Sequence, residues 1–301
     1  MRNDILTNRV ALITGAARGL GYSYAKLLAR AGATIIVNDI LQNNNGEFEA
    51  EKVAEEINEM GGIAEACTES IADSTSVSEI TKQIIKKYKR IDILIHNAGN
   101  IVPKQFLDHK QEDWKDVMDV HLNGTFYLLQ NICPEMIKNN YGRIVLVTSS
   151  MGMFGAVNCS SYAASKMAIW GLTKSIDAEM AQYNVICNAI SPLAKTDLTK
   201  EILQSSFYDE FTCEKVADIV LILCSDAAKR GGNIYLASNG VYSLIDIYQN
   251  DGKTINLEQG HFEEQIESIN HSSSGKPIKS LMQMTKRIFK DAIKQKKYDK
   301  S

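Results

Sequence analysis

The sequence predicts a doubly wound α/β fold, with a parallel sheet of about seven strands and a helical C-terminal extension. Three observations predict it. Short runs rich in valine, isoleucine and leucine alternate along the chain with stretches of helical periodicity. The apolar runs lack polar alternation, as do strands that are buried on both faces. A glycine-rich turn joins the first apolar run to the first helical stretch, as in β-α-β units.

The elements follow in order along the chain. The predicted strands are the apolar runs Val10–Thr14, Thr34–Asn38, Asp92–His96, Arg143–Ser149, Val185–Ser191 and Asn233–Ala237, with Ile63–Cys67 as a weaker candidate. The predicted helices are Gly21–Ala31, Glu49–Met60, Ser74–Tyr88, Glu112–Asn139, Ser160–Tyr183 and Glu214–Ser225. Such regular alternation of strand and helix favours a parallel sheet.

Composition excludes several classes of protein. The chain has 301 residues, a net charge of −3 and 45% hydrophobic residues, which argues against wholesale disorder. No apolar run approaches the roughly 20 residues of a membrane-spanning helix. The N-terminus lacks the apolar core of a signal peptide, the last residues are not a peroxisomal Ser-Lys-Leu address, and the six cysteines are scattered. We therefore expect a cytoplasmic protein with reduced thiols, no integral membrane segment, no metal site and no nucleic-acid partner.

The charge is distributed unevenly. Residues 276–301 contain nine basic and two acidic side chains, a net charge of +7. Leu281, Ile288 and Ile293 recur there at helical spacing, and His271–Pro277 before them resembles a linker. We predict a catalytic domain over residues 1–243 and a helical extension with a basic tail over 244–301. The tail is either a helix docked on its own domain or a basic patch for phosphate groups, an anionic surface or a partner.

The glycine-rich turn has the pattern G-x-x-x-G-x-G, with Gly15, Gly19 and Gly21 around Arg18 and Leu20. Glycines permit a sharp turn and close approach of the backbone to a pyrophosphate, which the N-terminus of the next helix attracts. The pattern predicts dinucleotide binding. The alternative is a tight turn that packs the helix closely on the strand.

Asp39 ends the second predicted strand and bears on the choice of dinucleotide. A carboxylate there accepts hydrogen bonds from an adenosine ribose and repels a 2′-phosphate. Arg18 favours the opposite choice, but we expect it to pair with Asp39. The sequence therefore predicts NAD, with NADP less favoured.

Tyr162 and Lys166 lie at positions i and i+4 of a predicted helix and share one face. A nearby ammonium favours phenolate, so we expect Lys166 to lower the pKa of Tyr162 and make it a general acid/base. Ser149, at the end of the fifth predicted strand, carries a hydroxyl suited to holding the same substrate oxygen. On its own, the Tyr–Lys pair would more often be an exposed helix pair.

With these residues together, the chain resembles the short-chain dehydrogenase/reductases over about residues 8–243. The resemblance rests on Thr14–Gly21, His96–Gly99, Ser149, Tyr162, Lys166 and Asn188–Pro192. It implies a Rossmann-type sheet and NAD(P)-dependent hydride transfer at a secondary alcohol or ketone. It also implies a homodimer or homotetramer built on the helices Glu112–Asn139 and Ser160–Tyr183.

The resemblance further implies the surroundings of the cofactor. Lys166 would bind the nicotinamide ribose beside Tyr162, and Glu69 or Ser70 would lie near adenine. The other cofactor residues implied in this way, besides the glycine loop and Asp39, are Asn97, Ala98, Gly99, Pro192 and, for the carboxamide, Thr196. Leu198–Thr212 would form a mobile substrate lid.

A closer resemblance is to the (3R)-hydroxyacyl-CoA dehydrogenase units of peroxisomal multifunctional enzymes of type 2. The insertion Ile40–Glu51, the stretch Val120-His121-Leu122 and the long C-terminal extension carry it. It implies a 3-hydroxyacyl thioester as substrate and oxidoreduction in lipid metabolism. His121 stands where most of the family has an asparagine that holds a relay water, and Asn123 is a neighbouring candidate for that role.

Other departures and alternatives stay open. His96 replaces a usual asparagine and is interpreted as a buried, hydrogen-bonded core histidine, and Leu193 replaces a usual glycine. The apolar residues between Ser149 and Tyr162 form either a substrate wall, or ordinary packing or an oligomer contact: Met151, Met153, Phe154, Val157 and Cys159. The alternative substrates are an acyl-carrier-protein ester, a steroid or a polyol. The alternative class of protein is a non-catalytic nucleotide-binding scaffold.

Overall fold

The computed structural model describes residues 4–197, 199, 209–250, 253, 255, 258, 260–270, 275–278 and 283–286. Most of the predicted lid Leu198–Thr212 and most of the predicted tail helix lie outside the described residues. The strands and helices given below are those of the described ranges.

The central sheet confirms the predicted fold class and has eight strands, in the order β3-β2-β1-β4-β5-β6-β7-β8. The strands are β1 Val10–Thr14, β2 Thr34–Asn38, β3 Ile63–Cys67, β4 Ile93–His96, β5 Gly142–Val147, β6 Val185–Leu193, β7 Ile234–Ser238 and β8 Val241–Ile245. Neighbours from β3 through β7 run parallel. The chain order reverses between β1 and β4, and such a switch point leaves a crevice at the carboxyl ends of the strands.

Helices cover the sheet between the strands. They are α1 Gly19–Arg30, α2 Glu49–Glu59, α3 Ser74–Tyr88, α4 Gln111–Met118, α5 Gly124–Lys138, α6 Ser150–Phe154, α7 Ser160–Met180 and α8 Cys213–Leu223. Helix α1 packs against α8, and α3 packs against α5. All five residues of β1 are buried, as expected of a central strand with helices on both faces.

The predicted continuous helix Glu112–Asn139 is wrong in one respect. A single π-helical turn, Asp119–Asn123, separates α4 from α5. The flanking residues Met118 and Gly124 keep right-handed helical backbone angles, so the helical periodicity continues across the turn and conceals it. π-bulges of this kind occur frequently at functional sites. Here the turn contains His121.

The C-terminal extension was predicted to be helical, but its described part also contains strands. Its described part holds β9 Ile247–Gln249, α9 Phe262–Asn270 and β10 Lys276–Ile278, and β10 pairs antiparallel with β9. Lys276–Ile278 is thus a strand, although the sequence placed a linker and a helix there. Internal contacts divide the chain into two compact units, residues 1–244 and 245–301.

No helix in the described part of the chain is long and apolar enough to cross a bilayer. The described part also contains no group of three or more acidic, histidine or cysteine side chains arranged to hold a metal ion.

Candidate active site

The glycine loop after β1 is a tightly packed cradle at the N-terminus of α1. Gly15 and Gly19 have positive φ angles of 63° and 56°, which favour glycine. A Cβ on Gly15 would lie 2.7 Å from Cα of Ala98, and one on Gly21 would lie 2.1 Å from the carbonyl oxygen of Gly15. The loop therefore needs glycine at all three positions, for backbone angle or for space. The first-turn N–H groups of α1 receive no side-chain cap from Arg18, and such a helix start suits a phosphate.

A cleft of about 360 Å³ opens beside this loop at the carboxyl ends of β1, β2 and β4. Its position is the crevice expected at the switch point. Ten of the predicted cofactor residues line it: Gly15, Arg18, Gly19, Leu20, Asp39, Ser70, Asn97, Ala98, Gly99 and Thr196. The other lining residues were not predicted to contact the cofactor: Asn38, Ile40, Leu41, Ile71, Asn100, Val120 and Asp197.

Five predicted cofactor residues do not line the cleft: Gly21, Glu69, Tyr162, Lys166 and Pro192. Gly21 acts through packing, and Pro192 lies within β6. The carboxylate of Glu69 accepts a hydrogen bond from the Cys67 thiol at 3.2 Å and faces a neighbouring cavity. Of the two residues proposed near adenine, only Ser70 therefore faces the cleft.

Asp39 does not pair with Arg18, contrary to the sequence-based expectation. Its two carboxylate oxygens accept hydrogen bonds from the backbone N–H groups of Ala17 and Leu41, each at 3.0 Å. Arg18 instead pairs with Asp197, Nη1 to Oδ2 at 3.0 Å. The loop backbone thus satisfies Asp39, so its charge is held in place without a cation.

Thr14 and His96 fix the strand ends beneath the cleft. The Thr14 hydroxyl accepts hydrogen bonds from the N–H groups of Asn97 and Ala98, both at 3.1 Å. It therefore donates its proton to Nδ1 of His96, 2.9 Å away. His96 is buried and hydrogen-bonded, as predicted, and burial lowers its pKa to about 3. His96 is a neutral structural group that orients the Thr14 hydroxyl, and this hydroxyl in turn holds the backbone of residues 97 and 98 at the cleft.

Tyr162, Lys166 and Ser149 come together beside the π-helical turn. Lys166 is buried on α7 and its Nζ lies 5.6 Å from the ring centre of Tyr162. The same Nζ donates to the carbonyl oxygen of Val147 at 2.7 Å. Ser149 lies just beyond β5, where its hydroxyl caps the short helix α6 by accepting from the N–H of Met151 at 3.2 Å. The Tyr162–Lys166 pair therefore joins a half-buried tyrosine to a buried lysine and is not an exposed helix pair.

The titration of the two side chains differs from the sequence-based expectation. Burial raises the pKa of Tyr162 above its ordinary value, and the neighbouring Ser149 hydroxyl opposes this only in part. Burial also lowers the pKa of Lys166 to about 7, because the low-polarity surroundings disfavour the ammonium. The expected lowering of the Tyr162 pKa by Lys166 is thus wrong for this structure. The phenol is the resting form at neutral pH.

His121 lies against Tyr162. Its ring is buried and meets the tyrosine ring edge-on, with ring centres 5.3 Å apart. Nε2 lies 2.8 Å from the carbonyl oxygen of Asn100, whereas Nδ1 is buried without a hydrogen-bond partner among the described residues. Burial, and secondly the charge of Lys166, hold the pKa of His121 well below its ordinary value. The imidazole is therefore neutral.

Asn123, the other candidate for the relay, is placed differently. Its amide donates to Asp119 Oδ1 at 2.7 Å within the same π-helical turn. The Thr125 hydroxyl donates to the carbonyl oxygen of His121 and closes the other side of the turn. The structure therefore brings His121, and not Asn123, to Tyr162.

The apolar residues before Tyr162 differ in exposure. Cys159 is buried, and Met151 and Met153 are half-buried. Phe154 and Val157 are 85% and 87% exposed. Two further exposed apolar side chains, Phe106 and Leu107, lie on a second loop, which the hydrogen bond from Lys104 N to Asn158 O ties to the first. Ordinary packing accounts for Cys159, whereas the exposed side chains fit either a substrate wall or an oligomer contact.

Comparison with known proteins adds the family. The profile of the short chain dehydrogenase family matches residues 9–206, which include the glycine loop, Ser149, Tyr162 and Lys166. The chain belongs to the short-chain dehydrogenases. It is accordingly an oxidoreductase with a nicotinamide cofactor, and the resemblance inferred from the sequence is confirmed.

Individual relatives agree with the family assignment. This short-chain dehydrogenase is 34% identical over 251 residues to peroxisomal multifunctional enzyme type 2 of Drosophila melanogaster, covering 82% of this chain and 42% of that protein. It thus spans less than half of that relative. It is 36% identical to the 3-oxoacyl-acyl-carrier-protein reductase FabG of Aquifex aeolicus, covering 74% of this chain and 92% of that protein. A short chain dehydrogenase structure from Mycobacterium avium superposes with a TM-score of 0.79 at 26% identity, covering 91% and 98% of the two chains.

The raised pKa of Tyr162 predicts how this short-chain dehydrogenase responds to pH. Donation of a proton needs the phenol, whereas acceptance of one needs phenolate. We therefore expect kcat for alcohol oxidation to rise about tenfold per pH unit above neutrality, while kcat for ketone reduction stays level. Steady-state rates in both directions between about pH 6 and pH 10 test this. An oxidation rate that is already level below neutral pH would contradict it.

Proposed function

We propose that this chain transfers a hydride between NAD and a 3-hydroxyacyl-CoA or 3-oxoacyl-CoA. The observation that carries the chemistry is the group formed by half-buried Tyr162 with buried Lys166 and His121, beside the cleft that the glycine loop lines. The thioester substrate is supported by the likeness to peroxisomal multifunctional enzyme type 2, together with the sequence resemblance to (3R)-hydroxyacyl-CoA dehydrogenase units.

The residues present fit a dinucleotide. Gly15 and Gly21 leave no room for side chains, so the backbone is free to approach a pyrophosphate closely at the start of α1. Asp39 offers carboxylate oxygens to ribose hydroxyls, and Ser70 faces the same cleft. Thr196 faces Gly19 across the loop, which suits it to a contact with the carboxamide end. When bound, the cofactor would supply or accept the hydride.

The side chains around the reacting oxygen have separate roles. Tyr162 gives its proton to the carbonyl oxygen in reduction and takes one from the alcohol in oxidation. Ser149 donates a hydrogen bond to that same oxygen. Burial lowers the pKa of Lys166 to about 7, so the side chain is partly charged near neutrality, and it would bind the ribose and exchange protons beside Tyr162. His121 fixes the tyrosine ring by edge-on contact.

The exposed apolar loops support an acyl chain as the rest of the substrate. Phe154 ends α6 and Val157 follows it, just before α7, which carries Tyr162. Phe106 and Leu107 lie in a short 3₁₀ turn, and the segment before this turn is hydrogen-bonded to Asn158. Burial of such side chains against methylene groups stabilises a complex by about 0.8 kcal/mol per CH₂. A free short-chain acid or a polyol would not make these contacts.

The test is oxidation of NADH by the purified full chain with a medium-chain 3-oxoacyl-CoA, run in parallel with NADPH. We expect turnover with NADH and a KM that falls as the acyl chain lengthens. Turnover only with an acyl-carrier-protein ester would instead favour the reaction named for the FabG relative, the second candidate function. NADH binding without turnover on any ketone would favour a nucleotide-binding scaffold.

Assembly and compartment are also proposals. The outer faces of α4 and α5 expose Trp114 and Phe126, which supports the homodimer or homotetramer implied by the family resemblance. The name peroxisomal belongs to relatives, so the cytoplasmic location expected from the sequence remains a prediction.

A further inference from the structure

The cofactor cleft is lined by few charged side chains. Within the described residues they are Arg18, Asp39 and Asp197, one cation and two carboxylates. Both dinucleotides carry a pyrophosphate, but NADP adds a 2′-phosphate of further negative charge. The choice between them therefore depends on whether Arg18 is free to meet that phosphate.

Asp39 does not control Arg18. Both of its oxygens accept backbone N–H groups, from Ala17 and Leu41, and it makes no ion pair with the guanidinium. Its negative charge is therefore fixed where the ribose hydroxyls would lie, and it repels a phosphate directly. Arg18 follows Ala17, whose N–H is bound to Asp39, so the backbone of Arg18 lies next to the carboxylate. The direction of the Arg18 side chain therefore decides whether the guanidinium reaches the 2′-phosphate position.

That direction is set by Asp197. Arg18 Nη1 lies 3.0 Å from Asp197 Oδ2, and this contact joins the glycine loop to the segment that follows β6. This segment lies close to the loop: a Cβ built on Gly19 would lie 3.6 Å from the methyl carbon of Thr196. Both partners of the pair are more than half exposed, so the pair is weak enough for another anion to compete with it.

We infer that Asp197 is a cofactor-selectivity residue, which acts by holding Arg18 away from the 2′-phosphate position. Two carboxylates then select NAD in different ways: Asp39 repels the phosphate, and Asp197 occupies the cation that would attract it. The inference rests on the proposed use of NAD. It adds a determinant that lies 158 positions from Asp39 in the sequence and outside the glycine loop.

The experiment measures Kd for NADH and for NADPH by fluorescence titration of the full chain. The proteins are the unmodified chain, Asp197→Asn, Arg18→Gln and the double variant. We expect Asp197→Asn to lower the ratio of Kd for NADPH to Kd for NADH about fivefold, the size that release of an exposed ion pair allows. In the Arg18→Gln background the same substitution should leave the ratio unchanged.

A matched control separates this effect from the loss of any negative charge. Asp209 forms an exposed ion pair with Lys195 and does not line the cleft, so Asp209→Asn should leave the ratio unchanged. An unchanged ratio in Asp197→Asn would overturn the inference. So would an equal change in the Arg18→Gln background, because the effect would then be one of charge alone. The unmodified chain tests the proposed NAD use separately: preference for NADPH overturns that proposal, whereas preference for NADH with no effect of Asp197→Asn overturns only the inference.

Discussion

Replacing Tyr162 with phenylalanine is expected to lower kcat about 1000-fold in both directions, since a positioned general acid/base contributes about 10²- to 10⁴-fold. The substitution removes one hydroxyl and retains the ring that His121 contacts edge-on. The ring is largely buried, so its loss would disturb packing, but phenylalanine fills the same volume. NADH affinity should therefore stay within about twofold, because Tyr162 does not line the described cleft.

Two measurements on Tyr162→Phe separate the chemical step from cofactor binding. Stopped-flow reduction of a 3-oxoacyl-CoA reports the chemical step, and NADH fluorescence reports cofactor binding in the same preparations. Ser161→Ala is the matched control, because Ser161 is the preceding residue of α7 and its buried hydroxyl has no partner among the described residues. It should retain nearly full activity. Retained turnover in Tyr162→Phe would remove Tyr162 from the chemistry and favour a scaffold function.

The inner strands of the central sheet were predictable because they are short apolar runs. Burial on both faces leaves no polar alternation, and this signature located them to within a few residues. The edge strand β3 is half-buried or exposed except at Ala64, and it was accordingly the weaker candidate. The eighth strand was missed, although a signal for it existed. Asn239 and Gly240 both have positive φ angles between β7 and β8, and an Asn-Gly pair between apolar runs is a strong hairpin signal.

The π-helical turn could not be predicted by periodicity. The residues at its two ends have right-handed helical backbone angles, so the apolar pattern of α4 continues into α5 with one added residue. One residue at the turn is restricted by its surroundings: a Cβ on Gly124 would lie 2.5 Å from Ile71 Cδ1. That contact joins residues far apart in sequence, so it is visible only after folding.

The site shows the same division between local and long-range information. Gly15, Tyr162 and Lys166 could be proposed as site residues because their chemistry depends on spacing within one loop or one helix. The partner of Arg18 was not, because Asp197 lies 179 residues away and the nearer Asp39 is satisfied by backbone N–H groups. The direction of the Tyr162 pKa was also out of reach, since it depends on burial, which the spacing of Tyr162 and Lys166 does not report.

Gly21→Ala should damage both the fold and the cofactor site. Its Cβ would lie 2.1 Å from the carbonyl oxygen of Gly15 and 2.8 Å from the side-chain nitrogen of Asn97. Backbone cannot move aside as a flexible side chain can, so α1 must shift away from β1. We expect a loss of about 3 kcal/mol in the free energy of unfolding, the upper part of the range for overpacking.

The same displacement moves the first-turn N–H groups of α1 away from a bound pyrophosphate, so NADH affinity should fall at least about tenfold. Denaturant unfolding and NADH titration measure the two effects. Gly171→Ala is the control: it is also a helical glycine, but a Cβ there meets no described atom within 4 Å, and alanine favours the helix by about 1 kcal/mol. Equal stability of the two variants would contradict the steric argument, and since the φ angle of Gly21 is not positive, backbone strain could not explain the glycine instead. This pair of variants therefore tests directly whether close packing of α1 on β1 makes the loop a phosphate site.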